Sequence, residues 1–255
     1  MITIRDDQLQ VFKTAAAHAF EDDMVLHVKK FTPPHYNAIG EEGTRKVVRL
    51  GFKRAERYNL TNRGPVQFYI ESMFMFGSYF DTDPQYPWIE KALNDPAIKD
   101  QMDRADFLYE KMQDYLQSVA GPDNKYAIRA LKKLSNFRSQ STPPVNTEFQ
   151  NKMIRHMTDI YPEKCKYNGT QALENLIKSG MAKAGEYWPG NDSGTALFIG
   201  LMFGFGHGVW KDPQFPWVAA TLDNPSISDP DKRTESLKAR SFIYLDHVLK
   251  YFEQG

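Results

Sequence analysis

The chain is poor in several things, and each shortage narrows its class. It has one cysteine, Cys165, so no disulfide can close within it, and a reducing compartment fits. Basic and acidic residues balance at 32 each, leaving no net field to draw the whole molecule to nucleic acid or an anionic membrane. The most apolar run, Thr195 to Trp210, is too short to span a bilayer and reads as a buried core helix. The first ten residues, MITIRDDQLQ, lack a basic stretch followed by an apolar one, so no secretory signal is expected. The sequons at Asn59, Asn168 and Asn191 then carry no meaning. Strand-like alternation is missing, and so are G-x-S-x-G, a phosphate loop and H-E-x-x-H.

What is present is a sentence written twice. Met73 to Ile89 reads MFMFGSYFDTDPQYPWI, and Met202 to Val218 reads MFGFGHGVWKDPQFPWV. The offset of 129 residues holds without a gap from Phe20–Phe149 to Ile98–Ile227, through His27–His156, Gly40–Gly169, Gly51–Gly180 and Tyr58–Tyr187. Beyond Ile98 an offset of 135 pairs Phe107 with Phe242 and Tyr109 with Tyr244, which implies six extra residues near Ser228 to Arg233. The chain reads as a tandem duplication, each unit large enough to be a small domain rather than one turn of a solenoid.

Helical spacing dominates. Leu9, Phe12, Ala16, Phe20, Met24 and Val28 recur on one face after a cap at Asp6 or Asp7, and Pro33-Pro34 ends that helix. Further helices are expected over Glu41–Tyr58, from Asn62 or Gly64 through Phe76, over Pro87–Leu93, over Met102–Val119, and as a connector over Asp123–Phe137. RSQSTPPVN, Arg138 to Asn146, is the linker. The fold class is therefore all-α: a tandem duplication of a roughly four-helix bundle in a pseudo-two-fold arrangement. Its segments are a first helical repeat over 1–121, a connecting helix and linker over 122–145, and a second repeat over 146–255.

The shared D-P-Q-aromatic-P-W element has a mechanical reading. Asp83 and Asp212 accept turn N–H groups, Pro87 and Pro216 open short helices, and Trp88 and Trp217 anchor them. The third helices differ instead. Gly200, Gly204 and Gly208 stand where the first repeat has Glu71, Met75 and Tyr79. Glycines in a helix cost about 1 kcal/mol each against alanine. Close crossing of the two third helices, with Met75 and Tyr79 filling the glycine groove, would offset that; the alternative is a helix ending at Gly204 or Gly206.

Candidate chemistry is thin. GNDSG at Gly190–Gly194 lacks the β-barrel of a serine-protease nucleophile loop, so Ser193 reads as lying near a helix N-cap. His27 and His156 are equivalent, but Asp23 four residues earlier has Lys152 as its counterpart, so no duplicated metal site is expected and both read as structural. No metal and no cofactor are expected. Glu71, in an apolar helix, and His207, among glycines, are the candidates for a pocket. Lys46, Arg49, Lys53 and Arg57 form a helical stripe, either a solvated face or a dock for an acidic protein surface; a second basic stretch runs from Lys125 to Arg138. No aromatic platform accompanies the stripe, so nucleic acid is disfavoured.

The pairing of an MF-x-FG helix with D-P-Q-[YF]-P-W resembles poorly characterised bacterial proteins encoded near type VI secretion spike and effector components. The resemblance covers most of the chain and brings no catalytic residues. It implies a cytoplasmic accessory role as adaptor, effector chaperone or immunity protein, with another protein, such as a secreted effector or toxin, as partner. The residues point the same way, to a non-enzymatic protein-binding scaffold. The alternative is a small-molecule binder or enzyme with a pocket near Glu71 and His207.

Overall fold

The structure, a computed structural model, describes residues 6–136 and 148–254; the expected linker Arg138–Asn146 lies outside them, as do the side chains of Leu9 and Phe12. Every regular element among the described residues is helical. The first half comprises α1 (Asp6–Phe31), α2 (Pro33–Ala55), α3 (Arg63–Phe76), α4 (Pro87–Leu93) and α5 (Gln101–Val119). A connecting helix α6 (Lys125–Asn136) leads on to α7 (Phe149–Ile160), α8 (Pro162–Asn168), α9 (Thr170–Ala184), α10 (Asp192–Phe205), α11 (Pro216–Leu222) and α12 (Pro230–Gln254). None of the described helices is long and apolar enough to cross a membrane.

The proline-based expectations hold, with one addition. Pro33 ends α1 but also opens α2, because proline at the first helical turn forfeits no hydrogen bond. Gly40 then breaks α2 with φ 67° and ψ −175°, and its counterpart Gly169 separates α8 from α9 with φ 80° and ψ 162°. The short helix from each proline to each glycine was not foreseen.

Each half has its own core. Tyr69, Ile70, Met73, Phe80 and Leu108 are buried in the first, and Phe198, Ile199, Met202, Val209 and Leu237 in the second, while Tyr161 packs against both. Glycine lets the second and third helical layers meet at matching points. A Cβ on Gly51 would lie 2.5 Å from Ile70 Cγ1 and 3.1 Å from Met73 Sδ, and one on Gly180 would lie 2.5 Å from Ile199 Cγ1 and 3.1 Å from Met202 Sδ.

The expected six-residue insertion near Ser228 to Arg233 is corrected by the structure. Asp100 and Asp229 both cap the helix that follows them, through Met102 and Asp103 N–H in one case and Asp231 and Lys232 N–H in the other. Arg104 donates to the carbonyls of Tyr58 and Ile98, and Arg233 to those of Tyr187 and Ile227. Tyr115 stands against Phe76, Tyr86 and Trp88 as Tyr244 stands against Phe205, Phe215 and Trp217. All three pairs keep the 129 offset, so the 135 register made two pairs of aromatic residues, Phe107 with Phe242 and Tyr109 with Tyr244, that merely share a type.

Candidate binding sites

The repeated motif joins the halves. Each third helix ends on a left-handed glycine, Gly77 at φ 93° and Gly206 at φ 98°. These glycines abut: a Cβ on Gly77 would sit 2.6 Å from the Phe205 carbonyl oxygen, and one on Gly206 2.8 Å from that of Phe76. Only glycine permits both the conformation and the approach.

The aspartates then reach across. Asp212 accepts the Ser78 N–H at 2.7 Å and the Ser78 hydroxyl at 2.6 Å. Asp83 accepts the His207 N–H at 2.8 Å. Gln85 Nε2 donates to the Met202 carbonyl at 3.1 Å, and Gln214 Nε2 to the Met73 carbonyl at 2.8 Å, so each glutamine satisfies a last-turn carbonyl of the opposite helix. Burial pushes the Asp212 carboxyl up to about 6, with the Ser78 hydroxyl bond opposing the rise. The motif holds its own turn, as expected, with Asp83 accepting the Gln85 N–H and Asp212 the Gln214 N–H, each at 2.9 Å, and Pro87 and Pro216 opening short helices; it also holds the helix end of the other half.

The glycine face does something other than close crossing. Tyr79 fills the space beside Gly208, 2.4 Å from a Cβ there, but Gly208 lies beyond the end of α10. Among the described residues nothing stands within 4 Å of a Cβ on Gly200, and only Leu134 of α6, at 3.9 Å, meets one on Gly204. The missing side chains leave an open groove of about 360 Å³ between α7, α10 and α12, floored by Met153, Met157, Ala196 and Leu201 and edged by His156, Glu235 and Lys238.

In the first half side chains occupy the matching trough. Glu71 Oε1 sits 2.7 Å from His27 Nε2 and accepts from Gln67 Nε2 at 2.9 Å. Arg63 bridges to Asp23 at 2.7 Å, and Phe68 meets Tyr109 edge-on. At these positions the second half has Ala196 for Gln67, Gly200 for Glu71, Gly204 for Met75 and Lys238 for Tyr109.

A second cavity, of about 470 Å³, lies between the halves. Its walls are largely aromatic, with Tyr86, Tyr115, Tyr161, Phe203 and Phe215 among them. Two basic residues at matching positions, His35 and Lys164, face it. Burial holds the His35 imidazole down at about 4 and the Lys164 ammonium down at about 8, the latter opposed by Asp83. Lys164 donates to the Phe203 carbonyl at 2.5 Å and lies over the Phe203 and Tyr86 rings. Cys165 beside it is buried, and that raises its thiol to about 11, far from a reactive thiolate.

The residues singled out from sequence fall in separate places. Glu71 and His207 line neither cavity, and they do not meet: Glu71 pairs with His27, while His207 lies edge-on to Tyr79 and Trp210. Lys46, Arg49, Lys53 and Arg57 are all exposed on α2 and its 3-10 extension. Arg49 is neutralised by Glu21 at 2.9 Å, which lies within reach of Arg45 as well. Buried Arg54, on the same helix, pairs with buried Asp81 and covers the Tyr79 ring, whose other cation is Lys211. Ser193 lies in the first turn of α10, whose cap is Asn191, the acceptor of the Gly194 N–H at 2.6 Å. No group of three or more His, Cys, Asp or Glu among the described residues is placed to hold a metal ion. Comparison with protein-family models, with curated proteins and with solved structures finds no match to the chain.

Proposed function

We propose that this chain is a non-enzymatic protein-binding accessory protein, and that its second half receives an apolar segment of a partner protein in the groove between α7, α10 and α12. The open groove at Gly200 and Gly204, beside a filled trough in the first half, carries the reading. Three helices wall it, its floor is apolar and charge lies at its edge, which suits the apolar face of an amphipathic helix. The motif's aspartates and glutamine Nε2 groups are engaged across the junction, while Gln85 Oε1, Gln214 Oε1, Trp88 Nε1 and Trp217 Nε1 are buried with no partner among the described residues.

We read the chain as a tandem duplication of a helical bundle about a pseudo-two-fold axis through Gly77 and Gly206. In that history one trough stayed closed and the other lost its side chains. The sequence resemblance supplies the setting: a cytoplasmic bacterial adaptor, chaperone or immunity protein of type VI secretion, its partner a secreted effector or toxin.

The test uses Gly200→Met. The position is helical, and a Cβ there meets nothing within 4 Å among the described residues, so the substitution places a side chain into the groove. Wild type and variant are tagged and purified side by side from native cells. A partner held by the wild type and lost from an equally folded variant supports the reading. Equal recovery on both places the partner elsewhere.

A further inference from the structure

We propose that the cavity between the two halves binds a small amphipathic monocarboxylate, its carboxylate on Lys164 and its apolar body against the aromatic walls. The site adjoins the groove, sharing Leu134, Phe203, Gly204 and Phe205 with it, but Lys164 and Gly200 each line one of the two alone, and the proposal does not depend on the groove's partner.

The ammonium is the first observation. Lys164 is 5 % exposed, and among the described residues no carboxylate lies within ion-pair distance of Nζ. An ammonium has three N–H donors, and Lys164 is given one acceptor, the Phe203 carbonyl. A buried cation whose nearby carboxylate, Asp83, lies beyond ion-pair distance is costly, and a ligand carboxylate lowers that cost while taking a charge-assisted hydrogen bond.

The shape of the cavity is the second. Its walls combine aromatic rings with aliphatic side chains such as Leu116, Val119 and Leu131, which bind an alkyl or aryl body. At the rim stand Phe31, Met75 and Phe252, exposed by 44 %, 39 % and 36 %, so an apolar ligand meets apolar surface before it enters. His35, the matching base, is held neutral by burial and bonds to Thr32 Oγ1 at 2.7 Å, so the site offers one cation. One carboxylate matches it, and a dicarboxylate does not.

Calorimetric titration of the full chain at pH 7 with decanoate and with decanol, below their aggregation limits, tests this. Wild type should bind decanoate at least about tenfold more tightly than decanol, the scale of one hydrogen bond to a charged group. Lys164→Met should bring the two ligands level. Ala127→Leu, which narrows the cavity wall, should weaken both, and Gly200→Met should change neither. Should Lys164→Met fail to fold, a pH series on wild type decides the matter. The groups facing Lys164 are Asp83, the phenols of Tyr86, Tyr115 and Tyr161, which burial keeps protonated, neutral His35 and Cys165. Lys164 is therefore the group that discharges near pH 8, and the decanoate advantage should fall between pH 7 and 9.5 while decanol binding stays level. No binding by either ligand, equal binding by both in wild type, or an advantage that survives Lys164→Met or the pH rise overturns the proposal.

Discussion

The first half and the second half solve the same packing problem with different chemistry around the same glycines. Where α2 crosses α3, and α9 crosses α10, the two nearest contacts of the glycine are the same, 2.5 Å to an isoleucine Cγ1 and 3.1 Å to a methionine Sδ. Away from those crossings they part. The first half bridges its trough with Glu71–His27 and Arg63–Asp23 and buries an Arg54–Asp81 ion pair. The second half opens the trough and replaces the ion pair with Lys183 and Lys211 over the Trp210 ring. Features common to both halves hold the molecule together and line the cavity between them, as Tyr86 and Phe215, and Tyr115 and Tyr244 do; features that differ supply the groove and the Lys164 charge.

The junction is the first place to break that comparison, and the largest effect is expected there. Each aspartate accepts three hydrogen bonds from buried or half-buried donors: Asp212 from Ser78 N, Ser78 Oγ and Gln214 N, Asp83 from His207 N, Gln85 N and Gln85 Nε2. Asp212→Ala or Asp83→Ala leaves them unpaired, at about 3–5 kcal/mol by urea denaturation. The double variant should cost less than the sum, because both residues hold one junction. Additive losses would mean that the two ends act independently.

The buried ion pair ranks next. Asp81 is fully buried and also accepts the Tyr58 hydroxyl at 2.9 Å. Asp81→Ala strands a guanidinium that is 4 % exposed and should cost about 3 kcal/mol. Lys183→Ala at the matching point removes a partly exposed cation from the Trp210 ring and should cost less than about 1 kcal/mol. Similar losses at the two sites would erase the distinction drawn between the halves.

Helix positions were legible in sequence because proline, glycine and apolar spacing act locally. Pro87, Gly77 and the face of α5 each declare a boundary or a surface without help from elsewhere in the chain. The junction was not legible. Asp83 meets His207, and Asp212 meets Ser78, more than a hundred residues away, and a turn-forming aspartate looks the same whichever N–H it accepts. Gly200 and Gly204 were visible as missing side chains, but a glycine does not say whether a neighbouring helix closes on it or leaves it open. The paired basic positions, His35 and Lys164, gave no signal, since their types differ and their burial comes from aromatic residues of both halves. Past Ile98 the register was misread because Phe107 and Phe242 match in type, whereas the true equivalents, Arg104 with Arg233 and Tyr115 with Tyr244, are recognised by what they bond.

The basic pair also predicts a pH effect. Lys164 titrates near 8 when folded and near 10.5 when unfolded. Between those values the unfolded chain binds more protons, so stability rises with pH; below about 8 both states are charged and the contribution is flat. Wild type should gain about 1 kcal/mol relative to Lys164→Met between pH 8 and 9. His35 contributes no such rise, because its folded value of about 4 and its ordinary value of 6.5 both lie below that window. Parallel stability profiles for wild type and variant would remove the asymmetry between the two buried bases.

The smallest expected change bears most directly on function. A helical glycine costs up to about 1 kcal/mol against residues that favour helix. Among the described residues Gly200 has no neighbour within 4 Å of a Cβ, so Gly200→Ala and Gly200→Met should each raise stability by about 0.5–1 kcal/mol in urea denaturation. The reverse exchange, Glu71→Gly, should lower it by at least that amount, since it also removes the partner of His27. A glycine whose replacement stabilises the fold is not kept by the needs of folding. If Gly200→Met is destabilising instead, other residues pack the groove and it is not a binding site.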